Sequence, residues 1–232
     1  MNDLGLLSSW YFDQQLPFDK KLIKFRYLSI KPHFEGTSLL EMGPAEGVMT
    51  QLLCKDFKEI HVVDGSKHLL DLIPQISNVT RFHSFFEEFV PPIKYNTIIM
   101  EHVLEHIEYP QRVLSRVKTW LRNKNSKLIV GVPNAKSIHR MVAVKMGLLS
   151  SEYELNERDK SLGHYRVYDM ATLKEQIEAA GFKVVYEGGV FLKPLSNKQI
   201  EDGWTEEMIM GFFELGKDFI DHSAEIFIVA TV

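Results

Sequence analysis

Short apolar runs alternate with amphipathic segments along most of this chain. The runs are rich in Leu, Ile and Val, which is typical of strands buried on both faces of a sheet. The predicted strands are Leu39–Leu40, Glu59–Asp64, Val79–Phe82, Tyr95–Met100, Lys127–Val132, Phe182–Tyr186 and Glu225–Val232. Strands separated by helical segments predict βα units, and therefore an α/β fold with a doubly wound sheet.

Helical segments lie between these runs. Apolar residues recur at helical spacing before the first strand, and Lys31-Pro32 ends that predicted helix. Ser66 is placed to cap a helix that stops before Pro74, and Pro110 opens another. Further helices are predicted over Val48–Phe57, Gln111–Arg122, Ser137–Leu149, Met170–Ala180 and Thr205–Ile220.

Three stretches interrupt the alternation. Residues 1–36 form a predicted helical cap, 135–168 are long where a short connection would suffice, and 194–222 precede the final strand. Long connections of this kind usually carry function. A chain of 232 residues can bury a full core within one α/β domain. We therefore predict a single domain over 1–232 with two insertions.

A glycine-rich turn follows the first predicted strand. From Glu41 to Gly47 the chain has the form Glu-x-Gly-x-Ala-x-Gly, whereas a dinucleotide fingerprint would read G-x-G-x-x-G. Asp64 closes the second predicted strand, where an acid that binds ribose hydroxyls belongs. Both strand ends should therefore present polar groups to one crevice.

The charges around the turn decide which ligand suits that crevice. Glu41 and Glu46 flank it, and a pyrophosphate there would meet two carboxylates in a costly like-charge contact. A cationic nucleoside would be attracted instead. S-adenosylmethionine fits because it has an adenosine for Asp64, no phosphate, and sulfonium and ammonium groups for the first turn.

On these residues the sequence resembles the class I S-adenosylmethionine-dependent methyltransferases, whose first motif is (Asp/Glu)-x-Gly-x-(Gly/Ala)-x-Gly followed by an acidic end to strand two. The resemblance implies a seven-stranded, mostly parallel sheet with an antiparallel last strand. It also implies that Glu41 lies near the methionine part and that Asp64 holds both ribose hydroxyls. The other implied cofactor contacts at these strand ends are Gly43, Pro44, Ala45, Gly47, Gly65 and Ser66.

Further cofactor contacts follow from the same resemblance. Family members place an adenine-binding loop after the third strand, which maps to Ser84, Phe85 and Phe86. A Ser84 hydroxyl or a backbone group would then bond the adenine amine in place of the usual acid. An aromatic N-terminal segment often closes over the cofactor in these enzymes, which makes Tyr11 a candidate contact. Simple packing of that segment on the domain is the alternative.

A second dense motif follows the fourth predicted strand. It reads Glu-His-Val-Leu-Glu-His-Ile-Glu over 101–108, and a Leu-Ile-Val-Gly-Val-Pro-Asn run ends at Asn134. The pair resembles small-molecule O-methyltransferases related to ubiquinone biosynthesis and to sugar and natural-product tailoring, and the whole resemblance covers Leu39–Asn134. It adds Glu101 and His102 to the implied cofactor site and favours a hydroxyl acceptor, with a small amine as the alternative.

Methyl transfer from a sulfonium is an in-line displacement, so the enzyme must position the nucleophile and accept its proton. Histidine is the usual proton acceptor near neutral pH. We rank His106 and His164 first as the base, ahead of His102. His106 follows strand four, and His164 lies in a Gly-His-x-Arg-x-Tyr loop that faces the acceptor in the resembling enzymes.

The acceptor side is predicted from the 135–168 insertion and its flank. Candidate acceptor contacts are Arg166, Tyr165, Asn134 and His139. Arg166 could pair with a phosphate or carboxylate of the acceptor. Basic residues nearby that could assist it are Arg140, Lys136 and Lys145. The alternative is that these residues belong to a solvated, charged loop.

The spelling His102-x-x-Glu105-His106 has two metal interpretations. One is the H-x-x-E-H helix of a zinc peptidase class, which a position directly after a buried strand disfavours. Some of the resembling O-methyltransferases carry a divalent ion on residues matching Glu105 and His106, but here His102 replaces their usual carboxylate. We therefore predict catalysis without a metal. Alternatively, Glu105 caps the following helix and His102 packs beside the cofactor.

Composition limits the possible partners and location. A net charge of −4 leaves no basic surplus for binding nucleic acid. One cysteine, Cys54, excludes an internal disulfide framework and favours the cytoplasm. No run approaches the roughly 18 apolar residues of a membrane span. We predict a cytoplasmic, monomeric or homodimeric methyltransferase that acts on a small molecule and releases S-adenosylhomocysteine. A nicotinamide oxidoreductase and a non-catalytic cofactor-binding subunit are the alternatives.

Overall fold

One seven-stranded sheet organises the computed structural model, which describes residues 17–232. The strands are β1 (Ser38–Met42), β2 (Glu59–Asp64), β3 (Val79–His83), β4 (Thr97–Glu101), β5 (Lys127–Pro133), β6 (Lys183–Val190) and β7 (Glu225–Thr231). Their order across the sheet is β3-β2-β1-β4-β5-β7-β6. β7 runs antiparallel to both neighbours, and the other pairs are parallel. The predicted doubly wound α/β fold with an antiparallel last strand is confirmed.

Helices connect the strands and cover both faces of the sheet. They are α1 (Pro17–Ile30), α2 (Val48–Leu53), α3 (Lys67–Leu72), α4 (Pro110–Trp120), α5 (Ile138–Lys145), α6 (Glu157–Ser161), α7 (Met170–Ala179), α8 (Asn197–Gly203) and α9 (Glu206–Asp218). Short 3-10 segments lie at Lys31–His33, Leu104–His106 and Ile220–His222. As predicted, the Ser66 hydroxyl caps α3 by accepting the Leu69 N–H at 3.3 Å.

Some element ends differ from the sequence prediction because tertiary contacts decide them. β4 begins at Thr97 rather than at Tyr95, since Tyr95 forms only an isolated bridge with Leu121. β6 continues to Val190, where it still pairs with β7. The 150–163 stretch carried no predicted helix, yet a capping box between Asn156 and Asp159 starts α6 there.

The core lies on both faces of the sheet. Alternate residues of a strand point to opposite faces, and β4 supplies Ile98 and Met100 to one cluster and Ile99 to the other. The first cluster is shared with α4 and α7, and the second with α1 and α9. The continuous apolar run of β4 is therefore explained by burial between two helical layers.

The strand order reverses at β1, which pairs with β2 on one side and with β4 on the other. Connections leave the sheet in opposite directions at such a point, which opens a crevice at the carboxyl ends of the strands. Polar side chains at or just beyond those ends are Glu41, Asp64, Glu101 and Asn134. The sheet topology therefore collects residues from distant motifs at one edge.

α1 closes one side of this crevice. Its apolar side is buried, and the Phe25 ring stacks on Phe213 of α9 with centroids 4.4 Å apart. Its polar side contributes Asp19 and Arg26 to the crevice. Among the helices that the structure describes, none has the length and apolar character required to cross a bilayer.

Candidate active site

A cavity of about 1110 Å³ lies at the carboxyl ends of the strands. Single-ligand pockets usually measure about 300–1,000 Å³, so this cavity has room for a nucleoside and a second molecule. The sequence-predicted residues that line it are Glu41, Gly43, Pro44, Ala45, Asp64, Gly65, Ser66, Phe85, Phe86, Glu101, His102, His106, Asn134, His139, His164 and Tyr165. Gly47, Ser84 and Arg166 do not line it, and Tyr11 lies outside the described residues.

The turn after β1 has a left-handed backbone. Gly43, Ala45 and Gly47 have φ values of 67°, 48° and 80°, in a region that disfavours residues with a Cβ atom. A Cβ on Gly43 would also lie 2.7 Å from Cγ2 of Val103. The Gly43 N–H donates to the Val63 carbonyl at 2.9 Å, which fixes the turn beside β2. Gly47 therefore shapes the turn without facing the cavity.

Two buried acids stand beside this turn. Glu41 accepts a hydrogen bond from the Thr50 hydroxyl at 2.6 Å, and burial raises the pKa of Glu41 to about 7. Asp64 accepts the Ser66 N–H at 2.7 Å, and burial raises the pKa of Asp64 to about 6. These neutral donors offset burial only in part. A cationic ligand would therefore stabilise both carboxylates in their ionised form.

Two aromatic rings line the cavity where the sequence predicts an adenine-binding loop. The Ser84 hydroxyl donates to the Phe85 carbonyl at 3.0 Å and does not face the cavity. Phe85 is 50% exposed, and Phe86 packs against the core while also lining the cavity. The two rings, rather than the Ser84 hydroxyl, are therefore available to a nucleobase.

β4 delivers an acid and a histidine to the middle of the cavity. Burial raises the pKa of Glu101 to about 8, and its Oε1 has no hydrogen-bond partner among the described residues. His102 has a φ of 55°, and its Nε2 lies 3.3 Å from the Glu225 carboxylate. Arg26 lies 3.0 Å from the same carboxylate. Burial opposes ionisation of Glu225, but Arg26 and then His102 lower its pKa to about 2.

His106 and His164 lie side by side. Their ring centroids are 4.6 Å apart and the rings are nearly perpendicular. Burial, followed by the neighbouring histidines, lowers the pKa of His106 to about 3, so its imidazole is neutral at physiological pH. The Nδ1 atom of His164 lies 3.1 Å from Oδ1 of Asp159.

Asp159 is held as an ionised carboxylate. Burial raises its pKa, but hydrogen bonds from His164 and the Asn156 N–H, together with Arg140, lower it overall. The Arg140 guanidinium lies 3.2 Å from Oδ2 of Asp159. The insertion therefore presents an imidazole oriented by a carboxylate, an arrangement that suits a proton acceptor.

The same region has the donor set of a metal site. Glu105, His106 and His164 each offer a ligand atom, and these atoms lie within 4.8 Å of one another. Both carboxylate oxygens of Glu105 are buried without hydrogen-bond partners among the described residues. Two imidazoles and one carboxylate suit Zn²⁺ or a similar transition metal better than Mg²⁺. Catalysis without a metal stays a prediction, which chelation tests.

The helix-cap interpretation of Glu105 is wrong. Glu105 lies within the 3-10 segment Leu104–His106, and Tyr109 stands at the N-cap position of α4 with no side-chain cap. Pro110 at the first position of α4 lacks an N–H that would need a partner. Helix capping therefore does not account for the buried carboxylate.

Arg166 attaches the insertion to the segment that follows β4 instead of facing the cavity. Its guanidinium donates to the backbone carbonyls of Leu104, Ile107 and Glu108, the last at 2.9 Å. Arg140 is engaged in a similar way, by the Glu152 and Glu154 carbonyls in addition to Asp159. The predicted pairing of Arg166 with an acceptor anion does not agree with these contacts.

The other predicted acceptor contacts differ in availability. Asn134 lines the cavity, but its amide donates to the Asp221 and Ser223 carbonyls at 2.9 and 2.8 Å. Tyr165 also lines the cavity and is 47% exposed. His139 lines it, and its Nδ1 is buried with no hydrogen-bond partner among the described residues. His139 and Tyr165 are therefore more available to a ligand than Asn134.

Several polar lining residues carried no sequence signal. They are Asp19, Arg26, Arg158, Lys193, Asn197 and Glu225. They come from the cap, from the insertions and from the start of β7, where no motif marks them. Had the sixth strand been predicted to continue to Val190, where β6 ends, Lys193 would have stood near a strand end. That position is the one sequence signal that could have identified it as a site residue.

A family model described as a methyltransferase domain matches residues 14–187 of this chain. A search of curated proteins finds no match. Many solved structures share the fold at low sequence identity. A "SAM dependent methyltransferase" from Archaeoglobus fulgidus is 21% identical, with a TM-score of 0.61, and the match covers 92% of this chain and 94% of that chain.

Two further matches contain S-adenosylhomocysteine. N-methyltransferase NodS from Bradyrhizobium japonicum WM9 is 14% identical, with a TM-score of 0.57, and the match covers 94% of this chain and 89% of that chain. The plantazolicin methyltransferase BamL, bound to a triazolic desmethylPZN analog, is 14% identical, with a TM-score of 0.62 and coverage of 97% and 89%. At these identities the likeness establishes a common fold.

Proposed function

This chain belongs to the methyltransferase-domain family and is an S-adenosylmethionine-dependent methyltransferase, and we propose that it methylates a hydroxyl oxygen of a small molecule with His164 as the base. The observation that carries this proposal is the 3.1 Å contact between His164 and Asp159, in the same cavity as Asp64 and the glycine turn. The insertion at 135–168 then forms the acceptor side.

The residues at the first two strand ends fit the cofactor. Asp64 has one carboxylate oxygen bonded to the Ser66 N–H, which leaves acceptor capacity for ribose hydroxyls. Glu41 and Glu101 are acids whose pKa values burial raises to about 7 and about 8, and they would hold the positively charged methionine part. When bound, S-adenosylmethionine supplies a methyl group activated by its sulfonium.

His164 is the best placed of the three candidate bases. Asp159 faces its Nδ1 and stabilises the imidazolium that forms when Nε2 accepts a proton. His106 is held neutral by burial and by its histidine neighbours, so it accepts a proton less readily. His102 faces Glu225, itself paired with Arg26. We assign His106 and His102 to positioning of the acceptor and the cofactor.

The test is single-turnover transfer of a labelled methyl group from S-adenosylmethionine to a panel of small hydroxyl and amine compounds. His164→Ala should lower the transfer rate by about 10²–10⁴-fold, the usual contribution of a positioned base. Its affinity for S-adenosylhomocysteine should stay unchanged. Asp159→Asn should lower the rate in the same direction, and His222→Ala, outside the cavity, should not.

Other outcomes would replace the proposal. Full activity of His164→Ala would exclude its role as base, and a methyl group found on nitrogen would change the acceptor class. Thermal stabilisation by NADH and not by S-adenosylhomocysteine would indicate the oxidoreductase alternative. Cofactor binding without transfer to any compound of the panel would favour a non-catalytic subunit.

A further inference from the structure

We propose that the acceptor carries an anionic oxyacid group, a phosphate or a carboxylate, which Lys193 binds together with His139 and Arg158 in the part of the cavity formed by α1, α6 and the segment after β6. The inference rests on the proposed function, because it describes the acceptor of the same site. It also reassigns the anion contact that was predicted for Arg166, whose guanidinium donates to backbone carbonyls instead.

A strained backbone places Lys193 at the cavity. Phe191, just after β6, has a φ of 61°, and a bulky residue rarely adopts this region unless the surroundings enforce it. The backbone of α9 packs directly against this position, because a Cβ on Gly216 would lie 2.4 Å from the Phe191 backbone nitrogen. The Phe191 ring also packs against Phe18 with centroids 5.2 Å apart. The chain therefore turns where Lys193 can reach the cavity.

The Lys193 ammonium keeps donors available for a ligand. It donates to Oδ1 of Asn197 at 2.9 Å, and a lysine ammonium has three donors. Asn197 is in turn anchored, since its Nδ2 donates to Asp19. A neutral amide therefore orients the amine without neutralising its charge. Burial lowers the pKa of Lys193 to about 8, which an anionic ligand would reverse.

His139 and Arg158 complete the subsite from the insertion. Both line the same cavity. In addition to burial, Arg158 lowers the pKa of Lys193 electrostatically, and Lys193 and Arg158 lower that of His139. The buried Nδ1 of His139 has no hydrogen-bond partner among the described residues. An orphaned buried polar atom is costly. Burial, followed by Lys193 and Arg140, lowers the pKa of His139 to about 3, and an oxyanion beside the ring would favour the protonated imidazole, whose Nδ1–H could then donate to it.

The charge balance favours an anion. Glu225 is the acid that most stabilises the Lys193 ammonium, but it is already paired with Arg26 at 3.0 Å. Asp19 accepts a hydrogen bond from Asn197. Besides the Arg140–Asp159 pair, the residues that line this part of the cavity include the cations Arg26, Arg158 and Lys193 and the carboxylates Glu225 and Asp19. This excess of cationic side chains contrasts with the cofactor end of the cavity, which is lined by the acids Glu41, Asp64 and Glu101.

The subsite adjoins the proposed chemistry. Glu225 raises the pKa of Lys193 electrostatically, and its carboxylate lies 3.3 Å from Nε2 of His102. His164 in turn acts electrostatically on the pKa of His102. An acceptor held by its anionic group at Lys193 can therefore extend past His102 toward His164. Anchoring by a remote charged group is an effective way to orient a hydroxyl for in-line attack.

The test measures binding of inorganic phosphate, by ³¹P line broadening, and of ¹³C-labelled acetate to the protein saturated with S-adenosylhomocysteine. Ionic strength is kept constant with chloride. Lys193→Gln should weaken binding of at least one probe by about tenfold or more, the loss expected for a charge-assisted hydrogen bond. Lys193→Arg should retain most of the affinity. Lys198→Gln, on the exposed side of α8, is the matched control and should bind like the wild type.

The outcomes separate this inference from the proposed function. Loss with Lys193→Gln for phosphate alone indicates a phosphorylated acceptor, and loss for acetate alone indicates an acid. Equal binding by wild type and Lys193→Gln, equal weakening by Lys198→Gln, or no binding of either probe overturns the inference, while cofactor affinity and methyl transfer still stand. If Lys193→Gln misfolds by circular dichroism, Arg158→Gln takes its place with the same expected loss. Failure to bind S-adenosylhomocysteine at all overturns the proposed function itself.

Discussion

The carboxyl groups at the two ends of the cavity have pKa values that are shifted in opposite directions. At the cofactor end, burial raises the pKa of Glu41, Asp64 and Glu101 to about 7, 6 and 8. At the acceptor end, Arg26 and His102 lower the pKa of Glu225 to about 2. Burial thus prevails at Glu101 although Arg26 opposes it, whereas Arg26 and His102 together outweigh burial at Glu225.

This contrast indicates what each end is built to receive. For the buried acids near the glycine turn, burial outweighs the effect of His83 on the pKa of Asp64 and of Arg26 on the pKa of Glu101, and S-adenosylmethionine would bring further positive charge. The acids near the insertions are already paired with cations of the protein, Asp159 with Arg140 and Glu225 with Arg26. Spare positive charge at Lys193 is then left for the acceptor.

The cofactor end is tested most strongly by Asp64→Ala. We expect the dissociation constant of S-adenosylhomocysteine to rise about 100-fold, because two charge-assisted hydrogen bonds to ribose hydroxyls are lost. Isothermal titration calorimetry measures the change. Asp71→Ala is the control, since Asp71 pairs with Lys67 on the surface of the neighbouring α3. Equal affinity of Asp64→Ala and wild type would remove the basis for placing the ribose there.

The raised acid pKa values predict that the contribution of these acids to the stability of the ligand-free protein falls as pH rises, whereas the lowered pKa of His106 acts in the opposite sense below its unfolded value of 6.5. Between the two pKa values of Glu101, 4.5 in the unfolded chain and about 8 in the folded protein, the folded state keeps a proton that the unfolded state has released. The stabilisation from this proton is therefore complete below pH 4.5 and is lost as pH rises through about 8. Glu101→Gln should reduce the loss between pH 5 and 8 by on the order of 2 kcal/mol. Urea unfolding at several pH values measures it.

A surface acid provides the control for that series. Glu88 is exposed, so Glu88→Gln should leave the pH dependence of the unfolding free energy unchanged. Saturating S-adenosylmethionine should also flatten the wild-type curve, because its positive charge stabilises the ionised acids. A Glu101→Gln variant whose unfolding free energy depends on pH between 5 and 8 in the same way as that of the wild type would contradict this account of the cofactor end.

At the acceptor end, Arg166→Ala separates attachment of the insertion from recognition of the acceptor. We expect the free energy of unfolding to fall by about 1.5 kcal/mol, because three backbone carbonyls lose a charged donor. Phosphate and acetate binding should not change. Arg112→Ala is the control, since Arg112 is exposed and stacks over Tyr109. Weaker anion binding with unchanged stability would return Arg166 to the acceptor site.

The smallest expected effect is that of metal removal. Dialysis against EDTA should change the methyl-transfer rate by less than about twofold, because the methyl group is already activated and His164 can accept the proton. Single-turnover rates before and after dialysis measure this. Loss of turnover that Zn²⁺ or Mg²⁺ restores would instead assign Glu105, His106 and His164 as ligands. It would also remove His164 from the role of base.

The cofactor end could be predicted from the sequence because its residues follow from local rules. Gly43 and Gly47 mark a left-handed turn directly after β1, and Asp64 ends β2. In a parallel sheet, such positions converge at one edge whatever the rest of the chain does. The predicted residues Glu41, Gly43, Ala45 and Asp64 all line the cavity.

The acceptor end was predicted less well because it depends on long-range packing. Arg166 and Lys193 are both basic residues in irregular segments, and no spacing distinguishes the one that binds backbone carbonyls from the one that faces the cavity. The pairing of His164 with Asp159 required α6, which no apolar pattern indicated. Such contacts join segments whose geometry is set by their neighbours rather than by their own residues.

The sequence by itself determined the α/β alternation and the cofactor turn, because strand burial and glycine backbone freedom are properties of short segments. The antiparallel last strand was implied only by the family resemblance. Tertiary structure alone decided which charged side chains meet. The strained backbone at Phe191 and the close approach of Gly216 place Lys193 at the cavity, and α1 brings Arg26 to Glu225. Charge pairing in a buried site depends on distances across the fold, and those distances are fixed only when the layers pack.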